Sequence, residues 1–457
     1  GVGLDDEMRA LAGMGTTEES LTGRFVIPGI VDAHNHLLFT GFLLQEIQLY
    51  DCRSIMEVVD RVRIAVEQAQ PGDWIVGRGW DESLLAEERF PSRHDLDPVS
   101  PNNPVVLHRV WNKLTCNSAA MRVAGIDRNT PDPPQGVPYS GSFDRDERGE
   151  PTGLFRDRAK ELIANAVPAK TDAEYARAVA IGSRHYNAAG ITAVGEPGLY
   201  PSEVHGFHQA HLNGELTVRT DMMLAGWGFG SVEDEADLEN RFRSIGVMTG
   251  FGDDMLRIGG VKFMPDGGIG DRTARVFEPY LNESENRGQW IVEPGELTRL
   301  IRFVHDLGFA VDTHTCGDEA QEVTVEAYAA AQDANPKPWL RHRVHHAYLP
   351  TERTLEVMAT YKIPAVVSDP FLYSLGESYI TSLGLERASR MMPMRTYLDR
   401  GVPLAGSSDS PVAVFDPWIG FRAAITRETV NGTVMGTSER ISAKLAANHV
   451  AFSARSC

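Results

Sequence analysis

The sequence predicts a (β/α)8 barrel of the TIM type with a large insertion after the first strand. Short runs rich in β-branched residues alternate with longer segments of helical periodicity, and eight such runs fit within 457 residues. This alternation is typical of parallel βα units, and eight units close a barrel. The candidate strands are 29–36, 191–197, 216–224, 256–267, 309–317, 342–349, 363–370 and 402–410.

The segments between the candidate strands carry apolar residues at helical spacing. Segment 54–69 places its apolar residues on one stripe, which predicts an amphipathic helix. Thr171 is a suitable N-cap for a helix over 172–188, and Gly308 closes a helix over 295–307. Helices are also predicted over 318–332, 351–361 and 391–400.

The connection between the first two candidate strands is too long for a single βα loop. It spans about 150 residues, rich in Pro and Asp but containing the strand-like pieces DWIVGRGW and PVVLHRV. We therefore predict an inserted subdomain over residues 71–155 that covers the barrel mouth. The barrel itself is assigned to 29–70 and 156–440.

Composition excludes several classes of partner. The chain has 44 basic and 63 acidic residues and a formal charge of −19, so it has no basic surplus for nucleic acid or an anionic membrane. No apolar run approaches the ~20 residues of a membrane span. The four cysteines show no CxxC pairing, which favours a reducing, cytoplasmic location. The expected partner is a small-molecule substrate.

Two histidines close together end the first candidate strand. In strand geometry His34 and His36 point to the same side, so they can share one metal ion. Histidines at this spacing are as often surface or hydrogen-bonding residues. Their position at the carboxyl end of a barrel strand favours the metal site, because barrel enzymes build their sites at that end.

Further candidate ligands fall at the ends of later strands. His314 ends the fifth strand, His345 and His346 lie late in the sixth, and Asp409 ends the eighth. Each alone has a structural explanation, as a core histidine bound to a carbonyl group or an aspartate capping a helix. Together with the first strand they give four strand ends carrying the ligand types that zinc prefers.

Several motifs of the chain resemble those of a known family. The motifs GIVDAHNH, VKFMPDGGIGDRTA, HTCGDEA, HRVHHA and AGSSDSPV resemble the ordered motifs of the amidohydrolase superfamily. They are most similar to its YtcJ-like branch, which includes N-substituted formamide deformylases. The insertion matches through GRGWDES, PSRHDLDPVSP, NSAAM and GEPTGLFRD, and the resemblance runs from about residue 12 to about residue 430.

The resemblance implies a metal centre of one or two divalent ions, with Zn²⁺ the expected metal. It implies a first site at His34, His36 and Asp409 and a second site at His314 and His346. It also implies that Lys262, carboxylated by CO₂, bridges the two. An ammonium group cannot bind a cation, so this role requires a neutral amine, which burial in the barrel favours. The alternative for Lys262 is a salt bridge with Asp266.

Three departures from the branch bear on the substrate more than on the mechanism. His345 stands where Glu is usual, and strand alternation puts His345 and His346 on opposite faces, with the motif favouring His346 as the ligand. Asn112 and Lys113 replace a Gly-His pair. Gly195-Glu196 replaces His-Asp.

The ends of the chain also depart from the family pattern. Relatives carry a β-sandwich built from both termini, so residues 1–28 are predicted to be a remnant of it. Residues 441–457 are predicted to be an atypical tail, which suggests truncation or an altered reading frame. A barrel without that support exposes apolar surface, so association into a homo-oligomer is a further expectation.

The expected activity is hydrolysis of a C–N bond in an amide, N-formyl or related group by a metal-activated water, with Asp409 as the catalytic proton acceptor. Candidate substrate residues are Trp80, Asp81, Asp266 and Arg272, whose segments alternatively form turns that hold the lid. Two other functions stay open, namely a metal-dependent isomerase or lyase and a non-catalytic truncated relative. Incorporation of solvent oxygen into the product separates hydrolysis from isomerisation.

Overall fold

The structure is a computed structural model of the chain. It describes residues 3–24, 26–82, 84–109, 113–133, 141–227, 235–413 and 415–446. Asn112 and residues 447–457 of the predicted tail lie outside the described residues.

The described residues form fourteen strands in two sheets. In chain order they are β1 (Ile30–Asp32), β2 (Ile47–Gln48), β3 (Ile75–Arg78), β4 (Val105–His108), β5 (Lys113–Cys116), β6 (Ser142–Arg145), β7 (Pro151–Arg156), β8 (Ile191–Leu199), β9 (Arg219–Ala225), β10 (Leu256–Phe263), β11 (Val311–Thr315), β12 (Arg343–His346), β13 (Ala365–Val367) and β14 (Leu404–Gly406).

The helices of the described residues are α1 (Asp5–Arg9), α2 (Leu37–Leu43), α3 (Ile55–Gln68), α4 (Arg93–Leu96), α5 (Ser118–Val123), α6 (Glu161–Ala164), α7 (Asp172–Ala188), α8 (Pro201–Leu212), α9 (Glu235–Ser244), α10 (Pro294–Asp306), α11 (Asp318–Ala334), α12 (Glu352–Tyr361), α13 (Pro370–Leu383), α14 (Leu385–Ala388), α15 (Met394–Asp399) and α16 (Pro417–Thr426). Short 3-10 turns lie at Asp157–Lys160 and Thr437–Glu439. Among the described residues, no helix has both the length and the apolar character needed to cross a membrane.

Eight strands form a parallel barrel. The sheet order is β1-β8-β9-β10-β11-β12-β13-β14, and each neighbouring pair is parallel. The backbone N–H of Ala33, just after β1, donates to the carbonyl oxygen of Gly406 in β14 at 3.0 Å, which joins the first and last strands. The predicted (β/α)8 fold is confirmed, and all eight predicted strands are present.

The outer helices bury apolar stripes against the barrel. On α10 the buried positions are Leu297, Leu300, Ile301 and Val304, the residues that helical spacing places on one face. Burial of each such side chain stabilises the fold by up to about 1.5–3 kcal/mol. The helix ends before Gly308, whose φ of +94° suits glycine because it has no Cβ.

The second sheet has the order β2-β3-β4-β5-β7-β6 and lies in the chain between β1 and β8. Helix α3 packs on it: Ile55, Val58 and Val62 share a buried cluster with Ile75 and Leu107. The helix predicted over 54–69 therefore forms. Its assignment to the barrel segment 29–70 implied that it packs on the barrel, but it packs on the second sheet. Sequence periodicity identifies an apolar stripe but not its partner.

The division into domains otherwise stays a prediction. The described residues before β1 contain α1 and no strand. Most of these residues are exposed. The β-sandwich remnant predicted for residues 1–28 is therefore not visible in that described segment.

Candidate metal centre

The first cluster joins the chain after β1 to the chain after β14. Asp409 Oδ1 lies 3.4 Å from Nε2 of His34 and 3.2 Å from Nε2 of His36. One ligand atom of each residue lies within 4.8 Å of the others. Backbone hydrogen bonds hold the two segments together, since Asp409 N–H donates to the carbonyl of His34 and His36 N–H donates to that of Ser410, both at 2.8 Å.

Two buried carboxyl groups fix this arrangement. Asp32 accepts from the backbone N–H and the hydroxyl of Ser408, at 2.9 and 2.6 Å, and so fastens the loop that carries Asp409. Glu196 accepts from the backbone N–H groups of Leu37 and Leu38 at the start of α2. These two bonds anchor the turn at His36. Burial raises the pKa of Asp32 to about 6 and the pKa of Glu196 well above its usual range.

Sequence reasoning missed these two roles. Asp32 lies in the GIVDAHNH motif, where its position two residues before His34 puts it on the same side of the strand. Glu196 was noted only as a departure from the family. For both residues the available signal was an acidic residue near the carboxyl end of an otherwise apolar candidate strand.

The second cluster lies at the ends of β11 and β12. It contains His314, Cys316 and His346, again with one ligand atom of each within 4.8 Å of the others. The rings of His314 and His346 are 4.4 Å apart, centroid to centroid, and Cys316 Sγ is 3.4 Å from His314 Nε2. Cys316 was not predicted as a ligand, although its spacing of two residues from His314 places it on the same side of the strand.

The two clusters are adjacent. The ring centroids of His34 and His346 are 5.0 Å apart. Lys262 on β10 is 2% exposed, and its Nζ has no hydrogen-bond partner among the described residues. Burial lowers the pKa of Lys262 to about 7, so a large fraction of the amine is neutral near pH 7. The structure thus brings all six predicted metal-binding residues into one region.

The alternative for Lys262, a salt bridge with Asp266, is not formed among the described contacts. The Asp266 carboxylate instead accepts from the backbone N–H groups of Arg275, Cys316 and Gly317 at 3.0, 3.2 and 2.8 Å. A buried Nζ without a partner is costly unless something else binds it. The environment of the Lys262 Nζ therefore fits an amine that is covalently modified and interacts with a metal ion.

His345 lies under the first cluster. In the parallel pairing of β11 and β12, His345 is opposite His314, so both point into the barrel. Its Nδ1 is 2.8 Å from Nδ1 of His34, and its Nε2 is 2.9 Å from Oδ1 of Asp312. His346 reaches the second cluster because its φ of +70° turns the chain at the strand end. Both histidines therefore contact the centre, where only one was expected to.

This contact fixes the tautomer of His34. Burial lowers the pKa of His345 to about 3, so its ring is neutral and carries one proton. The Asp312 carboxylate needs a donor, which places that proton on Nε2 of His345. Nδ1 of His345 then accepts from Nδ1–H of His34, and the lone pair of His34 is left on Nε2, beside Asp409. A metal-binding histidine is normally held by such a bond from its other nitrogen.

A buried ion chain continues below His345. Arg343, 4% exposed at its side chain, donates to Asp312, with Nη2 3.0 Å from Oδ2, and to Asp221, with Nη1 3.1 Å from Oδ2. Burial opposes ionisation of Asp312, but Arg343 and the hydrogen bond from His345 outweigh it. They hold the pKa of Asp312 well below its usual range.

Of the four predicted substrate residues, Asp266 lies next to the clusters, with Oδ1 3.7 Å from His314 Nε2. Burial raises the pKa of Asp266 to about 7. Trp80 is 1% exposed in the core of the second sheet, and its Nε1–H donates to the carbonyl of Leu107 at 2.9 Å. Asp81 pairs with Arg109, and Arg272 pairs with Glu283. These contacts of the last three residues lie within the second sheet or the loop after β10, and not at the candidate metal ligands.

Comparison with known proteins identifies the family. The model of a family described as "Amidohydrolase family" matches residues 17–453. The chain belongs to the amidohydrolase family. This amidohydrolase is 30% identical over 436 residues to a protein named "Putative amidohydrolase YtcJ" from Bacillus subtilis. The aligned region covers 94% of this chain and 78% of that protein.

Two further relatives agree with this assignment. A protein named "N-substituted formamide deformylase" from Arthrobacter pascens is 26% identical over 456 residues, covering 97% of this amidohydrolase and 81% of the deformylase. The crystal structure of an uncharacterized metal-dependent hydrolase from Pyrococcus furiosus superposes with a TM-score of 0.75 at 26% identity. It covers 94% of this chain and 82% of that chain. The predicted resemblance to the YtcJ-like branch is confirmed.

Proposed function

We propose that this amidohydrolase is a metal-dependent hydrolase that cleaves a C–N bond in an amide, N-formyl or related small molecule. The observation that carries the proposal is the pair of adjacent, mostly buried clusters, in which a hydrogen-bond chain leaves the Nε2 lone pair of His34 beside Asp409. The metal-dependent hydrolase from Pyrococcus furiosus and the formamide deformylase from Arthrobacter pascens support the reaction class.

The residues fit one or two divalent ions. His34, His36 and Asp409 would hold one ion, and His314 and His346 the other, with Lys262 carboxylated as the bridge. Imidazole and carboxylate ligands favour Zn²⁺. The chemistry that such an ion supplies is a water of lowered pKa and a polarised substrate carbonyl.

The protein's own residues hold and move the proton. Asp409 Oδ1 lies within 3.4 Å of both first-cluster imidazoles, which supports the proposal that it would accept the proton of the attacking water. The same carboxyl group then gives the proton to the leaving nitrogen, which departs as a neutral amine. His345 keeps the proton of His34 on the far side of the ring, where it does not compete for Asp409.

The reaction is tested with N-formyl and N-acyl amines in ¹⁸O-labelled water. We expect turnover to release an amine and a carboxylate that carries solvent oxygen. His36→Ala, which removes a ligand, serves as the control and should lose both metal and turnover. A product isomeric with the substrate, without solvent oxygen, would replace hydrolysis by the isomerase or lyase alternative. Bound metal without turnover of any substrate would favour the non-catalytic alternative.

Lys262 makes a separate prediction. If Lys262 is a carboxylated bridge, the intact protein holds two ions about 3.5–4 Å apart, and a crystal structure shows density for the added carboxyl group on Nζ. Lys262→Ala should lose the second ion and most activity, because the bridge is gone. A single ion beside an unmodified Lys262 would contradict the bridge, and Lys262→Ala would then be far less damaging than His34→Ala.

The cysteines support the proposed reducing, cytoplasmic location. Cys52, Cys116 and Cys316 are buried free thiols. Buried unpaired thiols are typical of proteins from compartments that keep cysteine reduced.

A further inference from the structure

Cys316 lies in the second cluster, and the family resemblance assigns no role to it. It is 4% exposed and lies just after β11, where its backbone N–H donates to the carboxylate of Asp266. Its thiol faces the His314 ring, with Sγ 3.4 Å from Nε2. A buried cysteine usually acts as a small apolar residue, yet this one lies against an imidazole ring.

The spacing within the second cluster fits a single ion. In a tetrahedral zinc site with Zn–S bonds of about 2.3 Å and Zn–N bonds of about 2.1 Å, a sulfur and a nitrogen lie about 3.6 Å apart. The ligand atoms of His314, Cys316 and His346 all lie within 4.8 Å of one another, so small side-chain rotations close the site. The Nε2 of His314 lies 3.0 Å from the carbonyl oxygen of Gly267, so with Nε2–H donating to that carbonyl the ligand atom of His314 would be Nδ1. The 3.4 Å between Nε2 and Sγ therefore shows that the two side chains are adjacent and is not itself a distance between ligand atoms.

Burial raises the pKa of the Cys316 thiol well above its usual range, and the nearby Asp266 and Asp409 add to this effect. The thiol is therefore protonated without a metal ion, and a bound ion is what deprotonates a coordinating thiol.

The backbone at this position is also fixed. The Asp266 carboxylate binds the N–H groups of Cys316 and Gly317 at 3.2 and 2.8 Å. A Cβ on Gly317 would lie 1.8 Å from the carbonyl oxygen of Arg275, so only glycine fits beside that chain. The thiol is therefore held at the cluster by the fold and does not depend on the metal to bring it there.

We propose that Cys316 binds the second metal ion as a thiolate, so that this site selects thiophilic ions such as Zn²⁺, Co²⁺ and Cd²⁺ over Mg²⁺ and Mn²⁺. The inference rests on the proposed metal-dependent function. On binding, the S–H proton is released to solvent and the sulfur lone pair forms the metal–sulfur bond. Soft sulfur ligands favour this group of ions.

The test is the absorption spectrum of the full chain loaded with Co²⁺, together with its cobalt content. The wild type should show a near-ultraviolet thiolate-to-cobalt charge-transfer band, and Cys316→Ala and Cys316→Ser should both lose that band and the ion of the second site. Cys116→Ala is the matched control, because Cys116 is buried in an apolar cluster of the second sheet. It should keep the wild-type spectrum.

Two results would overturn the assignment. One is a wild type that binds two cobalt ions without the band, and the other is a band that persists in folded Cys316→Ala. Circular dichroism identifies a variant that fails to fold, and Cys316→Ser, the closer replacement, then decides. The spectrum needs no substrate, so failure of the proposed hydrolysis with an intact band leaves this ligand in place. A wild type that binds no cobalt ends both proposals.

Discussion

Asp409→Asn is expected to lower kcat by at least about 10²–10⁴-fold while retaining most of the bound metal. The amide keeps the size of the side chain and still offers an oxygen beside His34 and His36, which lie 3.4 and 3.2 Å from the carboxylate. It cannot accept the proton of the attacking water. Steady-state kinetics with activity normalised to bound metal separates the chemical loss from any loss of metal.

Asp416 provides the matched control for this variant. Its side chain accepts from the N–H of Trp418 at 2.9 Å and caps α16. Asp416→Asn should leave kcat unchanged and cost at most about 1 kcal/mol of stability. His36→Ala should instead lose metal. A fully metallated Asp409→Asn with near wild-type turnover would show that Asp409 does not transfer the proton.

Arg343→Met is expected to destabilise the fold by about 3–5 kcal/mol, because it leaves Asp312 as an uncompensated buried charge. Asp312 is fully buried, and Arg343 binds both Asp312 and Asp221. Urea unfolding followed by circular dichroism measures the loss. Arg353→Met is the control: its pair with Glu326 lies at 3.1 Å but is half exposed, and such pairs contribute about 0–1 kcal/mol.

The effect of Arg343→Met should depend on pH. The pKa of Asp312 in the folded wild type lies below its unfolded value, so this carboxylate stabilises the fold above about pH 3.9 and stops doing so as the pH falls. In Arg343→Met the main opposition to burial is gone and the pKa of Asp312 rises. The stability difference between the two proteins should therefore shrink as the pH falls from 7 towards 4. A difference that is constant over this range, or equal for both arginine variants, would contradict this account.

The barrel and the meeting of its strand ends were predictable from periodicity, whereas Lys262 and the choice of His346 as candidate metal ligands came from the family resemblance. Each β-branched run marks one strand, and parallel strands bring their carboxyl ends to one rim. His34, His314 and Asp409 therefore lie near one another although the sequence separates them widely. The ligand roles stay predictions until a metal is bound.

What the sequence did not predict depends on backbone angles and on packing partners. His346 and Asp409 adopt φ values of +70° and +51°, which no residue pattern at these positions announces. Strand alternation alone put one of His345 and His346 outside the centre. In the same way, the sequence indicated strands in the insertion, but not that α3 and Trp80 pack together in the core of the second sheet.

The bond between Asp32 and Ser408 joins residues 376 positions apart, so the first cluster spans nearly the whole chain. A ribosome that adds about 5–20 residues per second needs roughly 20–75 s to pass from one to the other. Throughout that interval His34 and His36 are already made and lack the carboxylate that completes their site. The complete set of candidate ligands at this cluster therefore exists only after translation has passed Asp409 and the last barrel strand has paired with the first. A prematurely terminated product would be left without this cluster, and so would be a nascent chain paused before the final strand.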